Sequence, residues 1–320
     1  MASFIIKRIL RGLLTFFIAV SLTFLIVRLM PGDPATLLVN EEMTETEMRA
    51  LMGEFGLDKP LYVQYFLYIK QLLKGNLGTS FYYRQPVTAL VMSRLPWTLL
   101  LVLSAQLLAG IIGIPLGVLA ARKKGKWQDQ FINALTIFGI SVFIPWLGIT
   151  LLNLLGIIIP VFPIGGAFTP GMKGEGIAYI FDVLRHLVLP AFTLVIVYLA
   201  TYVLYIRGSM IDVLSEDYIR TARSKGMNEK RVVWHHGVRN GLIPSVTMIA
   251  LMIGKMVGGA ILTETVYAYP GVGRMIYQAV GQQDFPVLQG AFLILAISVI
   301  TMNIIADVVC ASLDPRIVVG

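Results

Sequence analysis

Cysteine, histidine and charged residues are all scarce in this chain of 320 residues. Its one cysteine, Cys310, cannot form a disulfide within the chain, so a disulfide framework is excluded. Of its three histidines, His235 and His236 are adjacent, and neighbouring side chains of a helix point about 100° apart. The pair therefore cannot face one metal ion from the same surface, and we predict no metal site.

The sequence motifs of nucleotide and nucleophilic chemistry are missing as well. No GxxxxGK[ST] phosphate loop occurs. The run PGVGRM (270–275) lacks both the third glycine and the preceding strand of a dinucleotide-binding fingerprint. No nucleophile, base and orienting acid can be paired within the apolar runs. We therefore expect a chain that is not an enzyme and holds no cofactor of its own.

Long apolar runs are abundant instead. Hydrophobic residues make up 57 % of the chain, charged residues 14 %, and the mean hydropathy is +0.78. Runs of about 20 apolar residues match the thickness of a bilayer's hydrocarbon core. Six such runs are predicted to span a membrane, namely residues 9–30, 97–120, 131–154, 187–206, 242–263 and 288–312. The predicted fold class is an all-α integral membrane protein with six transmembrane helices.

The distribution of basic residues predicts how these helices are oriented. Lysine and arginine are concentrated in alternate connections, 121–130 and 207–240, and cytoplasmic loops of membrane proteins carry such an excess. Both termini are therefore predicted to be cytoplasmic. The predicted divisions are an N-terminal transmembrane helix (1–30), an outer helical segment (31–96) and a five-helix core (97–320).

The outer segment is predicted to contain two amphipathic helices. TETEMRALMGEFG (44–56) begins with capping-box spacing and carries its apolar residues on one face. DKPLYVQYFLYIKQLLKG (58–75) is the second, and Gly75 is expected to end it. We expect the two helices to form a small platform at the outer mouth of the protein.

The connection between the fourth and fifth apolar runs is long and charged. Its stretch EDYIRTARSKGMNEKRVVWHHGVRNGLIP (216–244) predicts two helices. Gly226 is expected to end the first helix and Asn228 to cap the second. The residues alone leave two interpretations open, an amphipathic helix held on anionic lipid or a docking helix for a cytoplasmic partner.

This stretch resembles the cytoplasmic signature of permease subunits of bacterial ATP-binding-cassette importers, and in particular the oligopeptide, dipeptide and nickel subfamily. The signature of the wider superfamily begins Glu-Ala-Ala, followed by three residues and Gly. Here Arg220, Thr221, Ala222 and Gly226 occupy those positions, so the glutamate is replaced. Six further runs that resemble B-type peptide permeases follow the same order as in that family: RLMPGDPA (28–35), GLDKPLYVQY (56–65), GNLGTSF (75–81), LPWTL (95–99), ETVYAYPGVGR (264–274) and QDFPVLQG (283–290).

The resemblance implies one subunit of a larger importer in the bacterial or archaeal cytoplasmic membrane. A second homologous permease would complete the pore, two ATPases would bind ATP and Mg, and an extracytoplasmic binding protein would deliver the substrate. Nucleic acid is not an expected partner. The expected substrates are peptides, with nickel or another small solute as the alternative within the family. A stand-alone secondary transporter or channel is the alternative from another class.

The resemblance also assigns an ATPase-coupling role to residues 213–226. The coupling residues are expected to be Tyr218, Ile219, Arg220, Thr221, Ala222 and Gly226. Ala222 is small enough to allow close approach, and Tyr218 and Ile219 are expected to fill a cleft of the ATPase. Gly226 is expected to turn the chain.

Few charged residues are candidates for contact with substrate. Lys255 is the one basic residue deep inside an apolar run, so it is expected to face either a water-filled pathway or an acid of the partner permease. A second set lies on the predicted outer connections and has two interpretations, solvated surface residues or an outer gate that contacts the binding protein. These residues are Glu264, Pro270, Gly271, Arg274 and Asp284.

Overall fold

The computed structural model describes residues 2–29, 59–172, 174–242 and 260–313, which are helical apart from turns, loops and one isolated β-bridge between Thr79 and Pro86. The helices are α1 (Ala2–Leu29), α2 (Leu61–Leu73), α3 (Val87–Arg122), α4 (Trp127–Ser141), α5 (Ile144–Leu152), α6 (Ile177–Leu214), α7 (Asp217–Ser224), α8 (Glu229–Arg231), α9 (Val272–Gly281) and α10 (Phe285–Leu313). Helix α8 continues into a π-helical turn (Val232–Gly237) and helical residues 238–242, and residues 260–266 are also helical.

Helices α3 and α6 run parallel and share the most extensive interface in the described part of the chain. A Cβ atom added at Gly113 would lie 2.7 Å from Cβ of Tyr202, and one added at Gly117 would lie 2.7 Å from Cβ of Ile206. Both glycines therefore let the two backbones approach closely, as small residues do between membrane helices. The same side of α3 carries small, buried residues at four-residue spacing: Ala105, Ala109, Gly113, Gly117 and Ala121.

The apolar run 131–154 was predicted as one span, and the structure divides it. Helix α4 ends at Ser141, α5 begins at Ile144, and the two are bent by 99°. Pro145 stands in the first turn of α5, and a helix cannot continue smoothly through a proline because its ring clashes with the preceding turn. Helices α4 and α5 thus form a broken span or a re-entrant pair.

Among the described residues, three helices are long and apolar enough to cross a membrane, and the bent pair is a fourth candidate. The three are α3, α6 and the Phe285–Ile305 part of α10, while α1 contains a shorter apolar stretch, Leu10–Ile26. Most of the predicted fifth span, 242–263, lies outside the described residues. The all-α prediction is therefore confirmed for the described part, and the count of six spans and their orientation stay predictions.

The predicted outer segment is represented by α2 and by the loop that leads into α3. Helix α2 confirms the second amphipathic helix, and Gly75 follows it with a φ of +76°, as expected of a helix-ending glycine. Helix α3 begins at Val87, so the division predicted between 96 and 97 falls inside a helix. The helix predicted at 44–56 lies outside the described residues.

Candidate functional site

The first candidate site is the basic segment, defined here as residues 217–242. The side chains of Ile219 and Ala222, 0 % and 7 % exposed, pack on Val232, with Leu214 and Met227 partly buried beside them. The prediction that Ile219 fills a cleft of a partner, and that Ala222 offers close approach to it, is therefore wrong. Both side chains instead hold α7 against the helix that follows it.

Of the remaining predicted coupling residues, Arg220 and Thr221 lie on the side of α7 that points away from Ile219 and Ala222, and Tyr218 lies at the edge of the buried side. Tyr218, Arg220 and Thr221 are exposed, and the Tyr218 hydroxyl accepts a hydrogen bond from Nδ2 of Asn240 at 3.1 Å. Gly226 ends the helical turn with a φ of +74°, which confirms the expected left-handed conformation. The surface that α7 offers to a partner is thus polar, with one aromatic ring.

An ion pair connects α7 to α8, and a side-chain cap begins α8. The Arg223 guanidinium donates to both carboxylate oxygens of Glu229, at 2.9 and 3.1 Å. This hydrogen-bonded pair lowers the pKa of the Glu229 carboxyl below its ordinary value. The Asn228 side chain accepts a hydrogen bond from the backbone N–H of Lys230 at 2.9 Å, which confirms the predicted cap.

The basic segment is also packed against the α3–α6 pair. A buried apolar cluster joins two of its three valines to both helices: Val233, Val238, Val118, Ala121, Ile206 and Met210. In addition, the Ser209 hydroxyl donates to the Gly241 carbonyl at 2.6 Å. A displacement of α7 would therefore pass through α8 to helices α3 and α6.

An ion pair that was not predicted lies beside this segment. The Arg207 guanidinium donates to both oxygens of the Asp129 carboxylate at 2.7 and 2.9 Å, and the backbone N–H of Gly125 donates to the same carboxylate at 2.9 Å. Asp129 is buried, so α4 is held firmly on α6. The sequence offered one signal, an acid in the first turn of a helix, which does not identify the partner.

The second candidate site surrounds Glu264 at the other end of helix α3. The Thr98 hydroxyl donates to one carboxylate oxygen of Glu264 at 2.6 Å, and the backbone N–H of Arg274 donates to the other at 3.0 Å. Thr98 also accepts a hydrogen bond from the backbone N–H of Val272 at 2.8 Å. Glu264 thereby joins α3 to the first turn of α9, where backbone N–H groups favour a negative charge.

Glycines make room for this carboxylate. A Cβ atom at Gly271 would lie 2.2 Å from the carboxyl carbon of Glu264, and one at Gly273 would lie 2.6 Å from Cα of Ile261. The chain turns at 267–271 between two helices, and Pro270 and Gly271 lie in this break. The Arg274 guanidinium donates to the carbonyl of Ala268 and closes this turn.

The third candidate site surrounds Asp284, at the start of α10. Its carboxylate accepts hydrogen bonds from the Ser80 hydroxyl at 2.5 Å and from the backbone N–H groups of Phe81 and Tyr82 at 3.2 Å each. Beside it, a Cβ atom at Gly290 would lie 2.4 Å from Val87, the first residue of α3. Asp284 therefore ties the loop before α3 to the start of α10.

Glu264 and Asp284 are both 0 % exposed, so the interpretation of these two as solvated surface residues is wrong. The structure brings together sequence runs that were identified separately. LPWTL (95–99) meets ETVYAYPGVGR (264–274) through Thr98 and Glu264, and GNLGTSF (75–81) meets QDFPVLQG (283–290) through Ser80 and Asp284. Thr98 and Ser80 were not singled out as site residues, although both lie in those runs.

Two remaining predictions concern Lys255 and metal binding. Lys255 lies outside the described residues, so its surroundings stay a prediction. Within the ranges that are described, no three histidine, cysteine, aspartate or glutamate side chains are close enough together to hold a metal ion.

Comparison with known families places the chain in a group of transport proteins. The family described as "Binding-protein-dependent transport system inner membrane component" matches residues 113–319. The family that describes the N-terminal part of the same membrane component matches residues 1–102. Together the two matches cover nearly the whole chain.

Curated relatives are similar from end to end. The oligopeptide transport system permease protein AppB of Bacillus subtilis (strain 168) is 38 % identical over 318 residues, with 99 % of each chain covered. The di/tripeptide transport system permease protein DppB of Pseudomonas aeruginosa (strain UCBPP-PA14) is 37 % identical over 334 residues, again with 99 % of each covered. The glutathione transport system permease protein GsiC of Salmonella typhimurium is 36 % identical over 317 residues, with the same coverage.

One solved structure shares the fold at low sequence identity. It is a structure of the MetNI methionine ABC transporter in an inward-facing conformation. The match has a TM-score of 0.55 and 14 % identity, and it covers 71 % of this chain and 97 % of that one. This likeness supports an ABC transporter permease fold.

Proposed function

The chain belongs to the family of inner membrane components of binding-protein-dependent transport systems, and from this membership we propose that it imports peptides. It is a permease subunit of an ABC importer, not an enzyme. The observation that supports a peptide substrate is the end-to-end similarity to relatives named for oligopeptide and di/tripeptide transport. Nickel or another small solute stays the alternative within the family. A stand-alone transporter or channel is disfavoured because the family works with a binding protein.

The proposed assembly has this chain beside a second homologous permease in a bacterial cytoplasmic membrane. Two ATPases would bind ATP and Mg on the side of the basic segment, and a binding protein would dock at the other end. The polarity of the two ends supports this arrangement. Basic residues cluster at 122–126 and 217–242, where a cytoplasmic side is expected, and the buried carboxylates lie near the other end of α3.

We propose that the exposed side of α7 docks on an ATPase through Tyr218, Arg220 and Thr221. A helix that lies on lipid needs an exposed apolar face, and the apolar face of α7 is already buried inside the chain through Ile219 and Ala222. This packing favours the docking interpretation over the lipid-surface one. It also gives ATPase movement a rigid route into the α3–α6 pair, as in other rigid-body transitions.

The substrate proposal is tested with the complete transporter reconstituted in vesicles with its own binding protein. Uptake of labelled dipeptides and longer peptides is compared with uptake of nickel and of glutathione. We expect peptide uptake that depends on ATP and on the binding protein. Uptake of nickel or of another solute without peptide uptake would contradict the proposal.

The orientation is tested by labelling a single cysteine in a variant that lacks Cys310. Lys124→Cys lies in the basic connection between α3 and α4 and is exposed. A reagent that cannot cross the membrane should label it only from the cytoplasmic side. Labelling from the outside alone would reverse the proposed arrangement of partners.

The role of Lys255 is tested by substitution. If Lys255 faces the pathway, Lys255→Met should reduce uptake of peptides with a free carboxylate more than uptake of uncharged, blocked peptides. An equal loss for both, together with poor assembly of the complex, would indicate an ion pair with the partner permease instead.

A further inference from the structure

Helix α2 exposes an apolar stripe that its packing on the described part of the chain does not explain. Tyr62, Phe66 and Leu73 are 67 %, 69 % and 84 % exposed. At 3.6 residues per turn, the three side chains leave the helix within about 40° of one another. Gln71 is also exposed, and it leaves the helix about 180° from Tyr62. Helix α2 therefore has an uncovered apolar side and a separate polar side.

The contacts of α2 with α1 show where along α1 it lies. Tyr65 and Ser21 share a hydrogen bond of 2.7 Å between their hydroxyls. The ring of Phe24 packs edge-on to Tyr65, with centroids 5.3 Å apart, and stacks on Tyr68 at 5.6 Å. Ser21 and Phe24 belong to the apolar stretch Leu10–Ile26 of α1. Helix α2 thus lies beside that apolar stretch, not beyond its end.

The position of Ser21 along α1 shows how far α2 lies from the end of that helix. Ser21 precedes Leu29, the last residue of α1, by eight residues, and a helix rises by about 1.5 Å per residue, or about 12 Å in all. On the same part of α1, Leu22, Leu25 and Ile26 are also exposed. In an inner membrane component, exposed apolar side chains at this level of a helix meet lipid, because water would leave them unfavourably hydrated.

We propose that helix α2 is an interfacial helix, and that its stripe of Tyr62, Phe66 and Leu73 faces the acyl chains of the bilayer. The stripe has the apolar and aromatic composition of helices that lie in the membrane interface. Lys70 is exposed beside the stripe, where its long side chain reaches the headgroups. Gln71 faces water on the other side of the helix. The helix thereby anchors the middle of the predicted outer segment to the bilayer beside α1.

The test measures which solvent each side of α2 meets in the assembled transporter. In a variant without Cys310, single cysteines replace Phe66, Tyr62 or Gln71, and each is spin-labelled in vesicles of phosphatidylethanolamine and phosphatidylglycerol. Collisions with oxygen, which concentrates in lipid, are compared with collisions of a water-soluble nickel chelate. Ile26→Cys on α1 serves as the reference for a lipid-facing position.

We expect the labels at positions 66 and 62 to match the label at 26, with high oxygen and low nickel accessibility, and the label at 71 to show the reverse. Labels at 66 and 62 that collide with nickel as readily as the label at 71 would place the stripe in water and overturn the proposal. Low accessibility to both reagents would also overturn it, because protein would then cover the stripe, either residues 30–58 or the second permease.

Discussion

At the Arg122 end of helix α3, the charged side chains of the basic segment lie in solvent, and its buried side chains are apolar: Ile219, Ala222, Val232, Val233 and Val238. Near the Val87 end, Glu264 and Asp284 are fully buried carboxylates held by hydroxyl and backbone donors. Helix α3 connects the two ends over 36 residues, or about 54 Å at the usual rise of a helix.

This difference shows which kind of change each end should tolerate. A buried carboxylate is stable only while its hydrogen-bond donors stay in place, because burying an unpaired charge is costly. Replacing an exposed cation changes the stability of the protein little, since water and salt already screen its charge. Substitutions near the Val87 end should therefore lower the stability of the fold. Substitutions on the solvent-exposed side of the basic segment should weaken only the contact with a partner.

The largest effect is expected for Gly271→Ala. The added Cβ atom would stand 2.2 Å from the Glu264 carboxyl carbon, so the carboxylate must leave its donors. Forced overpacking costs about 1–3 kcal/mol, and lost donors add to that cost. The measurement is the thermal midpoint of the purified transporter. Gly281→Ala is the matched control, because a Cβ atom there meets nothing within 4 Å. Equal midpoints for the two variants would contradict the tight-packing argument.

A smaller loss is expected for Asp284→Ala. This change leaves the Ser80 hydroxyl and the backbone N–H groups of Phe81 and Tyr82 without their acceptor. Of these donors only the Ser80 hydroxyl is fully buried, and a buried donor that loses its partner costs about 1–3 kcal/mol. The N–H groups of Phe81 and Tyr82 are only partly buried and add less. Faster protease cleavage within 76–86 would report the released loop. The exposed acid Asp212 provides the control, and Asp212→Ala should leave the cleavage rate unchanged. Similar rates for both variants would mean that Asp284 does not hold the loop.

Tryptophan at two neighbouring positions of α7, one buried and one exposed, tests whether the two sides of the helix have different roles. Ala222→Trp forces bulk into the contact with Val232, at a cost of about 1–3 kcal/mol, and should loosen the basic segment itself. Thr221→Trp projects from the exposed side and should leave the chain stable while the ATPases fail to co-purify. Thermal stability and ATPase retention are measured for both. If Thr221→Trp retained its ATPases and normal stimulation by the loaded binding protein, the docking proposal would fail.

The smallest effect is expected for Arg223→Gln. The ion pair of Arg223 with Glu229 is half-exposed, so its loss should cost less than about 1 kcal/mol. Because the folded protein lowers the pKa of Glu229, the pair stabilises the protein fully above the ordinary value of 4.5 and loses this effect as pH falls through the lowered pKa. Stability of wild type and variant is compared at neutral pH and near pH 3. A difference that grew on acidification would contradict this sign.

The amino-acid sequence by itself determined the features that depend on local chemistry. Apolar runs predict an all-α membrane protein, and the motifs shared with peptide permeases predict a permease subunit. The predictions that Gly75 and Gly226 end helices and that Asn228 caps one are confirmed, because a left-handed turn or a capping side chain involves only neighbouring residues. The bend at Val142–Phe143 was missed because hydropathy is insensitive to a break inside an apolar run.

Only the tertiary structure decided which polar residues are buried and which face a partner. Ser80 and Asp284 are 204 positions apart, and Thr98 and Glu264 are 166 apart, so no local pattern identifies these pairs. The same holds for α7, where spacing shows an amphipathic helix but not which face is already occupied. Ile219 and Ala222 are covered by this chain's own Val232. Burial depends on what the rest of the chain brings alongside, and the fold alone supplies that.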